Sequence, residues 1–135
     1  MSTATIDTAQ TLSVKVQEIV LADVAGKSGT DVACGIKLPL GAMITGGRLI
    51  TTEAWNSTTS DVLDVGDADS QNRYLNDGNI RAAGAVVPLV PTGYVCPAPK
   101  QLTVRWTSGG GTPTTGKVKL VVEYVVARRA THVHE

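Results

Sequence analysis

A chain of 135 residues is long enough for one domain with its own core and short for two, and its 12 Lys plus Arg balance its 12 Asp plus Glu. Without net charge there is no field to draw it onto nucleic acid or an anionic membrane, so neither is expected as a partner. Phe is absent and only two Trp and three Tyr are present, so Val, Leu, Ile and Ala must fill the core, while abundant Gly and Thr suit short strands joined by tight turns.

Residues 1–10, MSTATIDTAQ, are small and polar, with Ile6 as the one apolar anchor, and read as an arm ahead of a domain over residues 11–127; residues 128–135 read as a tail. The arm has neither the basic start nor the apolar run of a secretory signal. No stretch is apolar over a membrane-spanning length, and a soluble protein made in the cytoplasm is expected. Leu12, Val14 and Val16 alternate, and the apolar phase then shifts to Ile19 and Leu21. That shift predicts a first strand with a bulge near Gln17 and Glu18. Residues 25–30, AGKSGT, contain a Gly-Lys-Ser, but a phosphate loop needs glycine at position 21 and a helix afterwards. Position 21 is Leu and a strand pattern follows, so nucleotide binding is set aside.

Val32, Cys34, Ile36 and Leu38 alternate as a second strand, which makes Cys34 a buried, reduced thiol. Cys34 and Cys96 have no CxxC spacing and are too few for a disulfide scaffold or a zinc site. Residues 39–42 turn the chain into a third strand over residues 43–52. Gly46 and Gly47 interrupt it and mark a bulge or corner. Residues 55–60, WNSTTS, read as a polar turn and residues 62–65 as a short fourth strand.

Residues 66–79, GDADSQNRYLNDGN, read as a loop in which Asp67, Asp69, Gln71 and Asn72 gather oxygens. A calcium loop of the EF-hand type would want Gly where Asn72 stands and Glu where Gly78 stands. Asx turns, with Arg73 pairing one of the carboxylates, therefore account for residues 67–72 without a cation. Asp77 is placed to cap a helical turn over residues 80–83, ended by Gly84. Residues 85–90 form a strand limited by Pro88, and Pro91, Pro97 and Pro99 keep this region at an edge or in loops. Leu102, Val104 and Trp106 alternate as a further strand, and residues 108–115, SGGGTPTT, connect it to the last one.

That last strand, residues 116–126, GKVKLVVEYVV, has the clearest period. Val118, Leu120, Val122 and Tyr124 share one face with Val126, while Lys117, Lys119 and Glu123 share the other with two interruptions, Val121 and Val125. Apolar residues on a face that should be wet make Val121 and Val125 the candidates for self-association. In the tail, Arg128 and Arg129 are the candidates for holding an acidic patch on a partner, and His132 and His134 read as solvated.

With the only imidazoles at the C-terminal end, no oriented base stands ready for a Ser or Cys nucleophile, and no catalytic residue is assigned. Metal constellations and dinucleotide fingerprints are also missing, so no metal or cofactor is assigned and no enzyme is expected. The pattern fits an all-β antiparallel sandwich of jelly-roll form, with about seven or eight strands and one short helical turn.

Three segments carry a resemblance to a known family. Leu-Pro-x-Gly-Ala at residues 38–42, an Asp-x-Gly-Asp run ending in Arg-Tyr-Leu over residues 64–75, and the Val/Glu/Tyr strand at residues 118–126 are similar to the small decoration, or cement, proteins of tailed-bacteriophage heads. The resemblance spans roughly residues 30–126 and leaves both ends of the chain uncovered. It implies a virion structural protein on the capsid exterior that bridges neighbouring major capsid protein subunits as a homodimer or homotrimer. On that reading Ile6, Arg128 and Arg129 contact the capsid, and Val121 and Val125 contact a second copy. The alternative is a carbohydrate- or receptor-binding sandwich of a phage fibre, with Trp55 as its loop-borne aromatic platform.

Overall fold

The computed structural model describes residues 12–126. In chain order it forms β1 (Ser13–Val20), a single helical turn α1 (Leu21–Val24), β2 (Thr30–Leu38), β3 (Ala42–Glu53), β4 (Asp61–Asp67), β5 (Ser70–Asn79), β6 (Val86–Pro88), β7 (Lys100–Ser108) and β8 (Lys117–Val126). All strand pairs are antiparallel. Sheet I has the order β1-β8-β3-β6 and sheet II the order β2-β7-β4-β5. Within these orders β1 pairs β8, β2 pairs β7, β3 pairs β6 and β4 pairs β5. The chain thus runs as one long hairpin of paired segments wrapped so that successive pairs alternate between sheets, which is jelly-roll wiring. The expected all-β antiparallel sandwich is the observed one.

β8 anchors sheet I for the reason its sequence suggests. Val118, Leu120 and Val122 are fully buried and Tyr124 nearly so, while Lys117 and Lys119 face water. Opposite them, sheet II contributes Leu63, Val65, Leu102, Val104 and Trp106 to the same core. Each such side chain stabilises the fold by roughly 1.5–3 kcal/mol through removal from water. Trp55 packs on Trp106 with ring centroids 5.8 Å apart and planes tilted by 40°. Behind Trp55 stands Gly116, where a Cβ would come within 2.3 Å of the indole, so only glycine lets the ring lie there.

The break expected at Gly46 and Gly47 is present as a register shift of β3 against β8 between Ile44 and Gly46. The inward set moves from Ala42 and Ile44 to Leu49 and Thr51 across it. Gly47 has φ +138, and a Cβ there would meet the Val121 carbonyl oxygen at 2.2 Å. Pro88 ends the three-residue edge strand β6, as its missing donor requires.

Four expectations need correction. The bulge near Gln17 and Glu18 does not exist: β1 runs against β8 without a shift from Ser13 opposite Tyr124 to Val20 opposite Lys117. Ile19 is the inward residue, so Val14 and Val16 point away from the core. The helical turn lies at Leu21–Val24 instead of residues 80–83. There, the Val20 N–H donates to the Asp23 carboxylate at 2.9 Å and the Ala25 N–H to the Leu21 carbonyl at 2.8 Å. Residues 82–85 form only a turn, with the Ala85 N–H donating to the Ala82 carbonyl. Asp77 caps nothing; it sits inside β5 with φ +56. Finally, most of residues 66–79 is strand β5, joined to β4 by a turn at Ala68 and Asp69. Gln, Asn and Arg favour strands weakly, but pairing with β4 overrides their preference.

Candidate functional site

The two sheets differ in what they show to the outside. On sheet II, Asp31, Arg105 and Asp64 lie in one cross-strand row. Arg105 Nε donates to Asp31 Oδ1 at 2.8 Å, and the Asp77 N–H donates to Asp64 Oδ1 at 2.6 Å. Burial raises the Asp64 carboxyl above its ordinary value, with the Asp77 N–H acting in the opposite sense. These charges are satisfied within the sheet.

The outward face of sheet I is apolar at the end where β1 begins and β8 ends. Val16, Val121 and Arg48 form one row across β1, β8 and β3, and Val14 stands opposite Glu123. Val125 lies opposite Met43, which in turn bridges to Val95. Leu12, Val14 and Val16 are 52%, 54% and 57% exposed, and Val95 is 43% exposed. Val121 and Val125 are half-buried on this same face, where the alternation of β8 placed them. The other end of the face is charged, with Glu18 beside Lys119. This corner, apolar apart from Glu123 and bordered by charge, is the candidate contact surface.

Sequence reasoning found the β8 members of this corner and missed those on β1. The signal was available: Leu12, Val14 and Val16 are out of phase with Ile19. A bulge restores the phase only if all four face the core; without it, three of them face outward.

Ile6, Arg128 and Arg129 lie outside the described residues. The chain reaches them from one place, since the start of β1 stands beside the end of β8.

Two other candidates resolve into structural roles. Asp67, 1% exposed, accepts hydrogen bonds from the Asp69 and Ser70 N–H groups at 3.0 Å each and from Arg73 Nε at 2.8 Å. The Arg73 guanidinium stacks 3.6 Å over the Tyr94 ring, and Lys100 pairs with Asp69. The Lys100 hydrogen bond lowers the Asp69 carboxyl below its ordinary value. Arg73 thus holds the turn, as the sequence suggested. Among the described residues no group of three or more His, Cys, Asp or Glu is arranged to hold a metal ion.

Trp55 does not form a surface platform. It is 1% exposed, and among the described residues its Nε1 has no partner. An open depression beside it is lined by Asn56, Asn79, Arg81, Val86 and Val87. Its polar side chains bond within the molecule, Asn56 with Thr114, Asn79 with the Arg81 N–H and Arg81 Nη2 with the Thr58 carbonyl, while Arg81 Nη1 lies 3.6 Å from the buried Asp61 carboxylate without a hydrogen-bond partner among the described residues. Cys34 and Cys96 are both buried free thiols, and burial pushes both thiols up, away from the nucleophilic thiolate.

No protein-family model and no curated protein matches the chain. Solved structures do share its fold. A chain of the Cyanophage Pam1 capsid asymmetric unit superposes with a TM-score of 0.69 at 20% identity, covering 87% of this chain and 86% of that one. A chain from the acid-stable capsid of Helicobacter pylori bacteriophage KHP30 gives 0.60 at 15% identity, with 86% and 92% covered. A chain from the capsid of Ralstonia phage GP4 gives 0.61 at 18% identity, with 85% and 84% covered.

Proposed function

We infer that this protein is a structural component of a phage virion, attached to the outer surface of the capsid, where it bridges neighbouring major capsid protein subunits and stabilises the head. The observation that carries this reading is the shared fold over nearly the whole length of chains from phage capsids. The apolar corner of sheet I supports it independently, since a protein of this kind needs contact surfaces and no reaction centre. A ligand that binds only the assembled shell stabilises it by mass action, and small contacts suffice when each recurs around a symmetric lattice. Ile6 of the arm and Arg128 and Arg129 of the tail are assigned to the capsid, because both segments join the domain at the same end of sheet I. Val121 and Val125 are assigned to contact between copies, as a homodimer or homotrimer. No catalytic role is proposed.

Cosedimentation with purified heads lacking the protein tests the reading, with imaging to locate it. Saturable attachment to the exterior is expected, and no attachment at any concentration would refute it. Deleting residues 1–10 should weaken attachment while leaving the thermal unfolding of the sandwich unchanged. Full occupancy by the truncated chain would remove the arm from this account.

A further inference from the structure

A sandwich of two open sheets has four edge strands, here β1 and β6 in sheet I and β2 and β5 in sheet II. An edge presents unpaired N–H and C=O groups, and folded proteins usually blunt it with brevity, proline or a bulge. Three of these edges are blunted. β6 has three residues and ends in Pro88. β2 slips register between Ala33 and Lys37 around Gly35, whose φ is +86. β5 slips twice against β4 and carries Asp77 at φ +56.

β1 is different. It runs eight residues without proline, glycine or a register shift, and with Leu12 just before it, its outward side carries Leu12, Val14 and Val16. Its inward Lys15 is a charge of the kind that discourages edge pairing, but Lys15 Nζ already donates to the Lys37 carbonyl at 2.7 Å across the rim of the sandwich. The amine is therefore turned toward β2 rather than held out in front of the edge.

We propose that β1 is the site of self-association, pairing antiparallel with β1 of a second copy to make one eight-stranded sheet across two molecules. This rests on the self-association part of the reading above and moves the contact from Val121 and Val125 to the neighbouring strand β1, with Val121 flanking it. A second copy fits this edge because the strand is complementary to itself: directly opposed residues of an antiparallel pair point to the same face, and the two-fold passes beside one residue and its own copy. At Lys15 that would set like charges opposite one another. At Val16 it sets Val16 against Val16, Val14 against Glu18, Leu12 against Val20 and Lys15 against Gln17, and the hydrogen-bonded ladder ends at Glu18 because the Val20 N–H already donates to the Asp23 carboxylate. The row of Arg48, Val121 and Val16 then continues into its copy as an unbroken apolar strip with an arginine at each end. The arms and tails of the two copies leave at opposite ends of the joint sheet, which gives the pair two separated attachment points.

The contact is roughly 30 Å long and 10 Å deep, about 300–400 Å² per copy, against about 800 Å² per partner in an interface stable by itself. The dimer is therefore weak in solution and is reinforced where copies are held together on a lattice.

Sedimentation of the full chain up to about 1 mM, the upper end of this affinity range, tests the proposal. A concentration-dependent monomer–dimer equilibrium is expected, and Val16→Lys, which opposes two ammonium groups at the two-fold, should raise its dissociation constant at least roughly tenfold with unchanged thermal unfolding. Val16→Cys should form a disulfide-linked dimer under mild oxidation, since opposed Cα atoms at about 4.5–5.5 Å lie within disulfide reach. Val14→Cys, facing Glu18, should not. A strictly monomeric protein, an equilibrium indifferent to Val16→Lys, or equal cross-linking at both positions would overturn the pairing. Attachment to heads by a protein that stays monomeric would sink this inference and leave the virion reading standing; a dimer that ignores heads would do the reverse.

Discussion

The outward faces of the two sheets, four antiparallel strands each, differ in chemistry. On sheet II, Asp31, Arg105 and Asp64 satisfy one another or the backbone, and the β4–β5 turn closes on Asp67. On sheet I, Leu12, Val14 and Val16 remain more than half exposed beside Val121 and Val125. Polar groups that find partners within the molecule specify the fold and leave little for anything else. Apolar groups that find none add little to the monomer, and in the proposed assembly they flank the contact with a second copy.

If this contrast holds, substitutions should separate into those felt by stability and those felt by association. The largest stability effect belongs to Asp67→Ala. It leaves Arg73, whose side chain is 17% exposed, without its carboxylate, and it strips two turn N–H groups of their acceptor. A loss of about 3 kcal/mol is expected, on the order of 10 °C in Tm, read by calorimetry. A shift of a degree or two would mean that sheet II is not held by its charges.

Tyr74→Phe should act mainly at high pH. The hydroxyl is buried without a partner among the described residues, and burial pushes it above its ordinary value of 10. A folded-state value above the unfolded one means stability that is fully present below about pH 10 and lost as pH rises through the folded value. Burial of Cys34 and Cys96 acts in the same sense from about pH 8.5 upward. Tyr74→Phe should therefore leave Tm at pH 7 almost unchanged and make the decline above about pH 10 shallower, as thermal melts across that range would show.

Val14→Thr should move stability by less than about 0.5 kcal/mol, because the side chain is exposed in the monomer, while weakening self-association measured by sedimentation. Matching losses in both would show that the β1 corner is part of the core after all. Least of all is expected from Lys100→Ala. The Asp69 carboxyl that Lys100 lowers is exposed, so the pair's contribution, present above the ordinary carboxylate range and lost as pH falls through the lowered value, is screened. Melts at neutral pH should coincide with those of the unmodified protein.

Much of this was readable from residue order alone. The alternations in β2, β7 and β8 fixed which side chains are buried, because a period of two in a half-buried strand has one solution. Gly46 and Gly47 announced the shift in β3, and Pro88 announced an edge. In the sequence Asp77 and Gly84 look like the cap and stop of a helical turn, and nothing local shows that Asp64 stands across a strand to take the Asp77 N–H. β5 reads as a loop in the sequence because its strand state depends on β4, which lies beside it only after the chain doubles back.

The chain's own pattern determined an all-β sandwich, a core of aliphatic residues around Trp106, and a β8 whose wet face carries two valines. Tertiary structure decided which strands lie at edges, and with that whether the apolar run of β1 is interior or exterior. The pattern of a strand records that its two faces differ; only its neighbours determine which face is covered, because burial belongs to the assembled sheets and not to the strand.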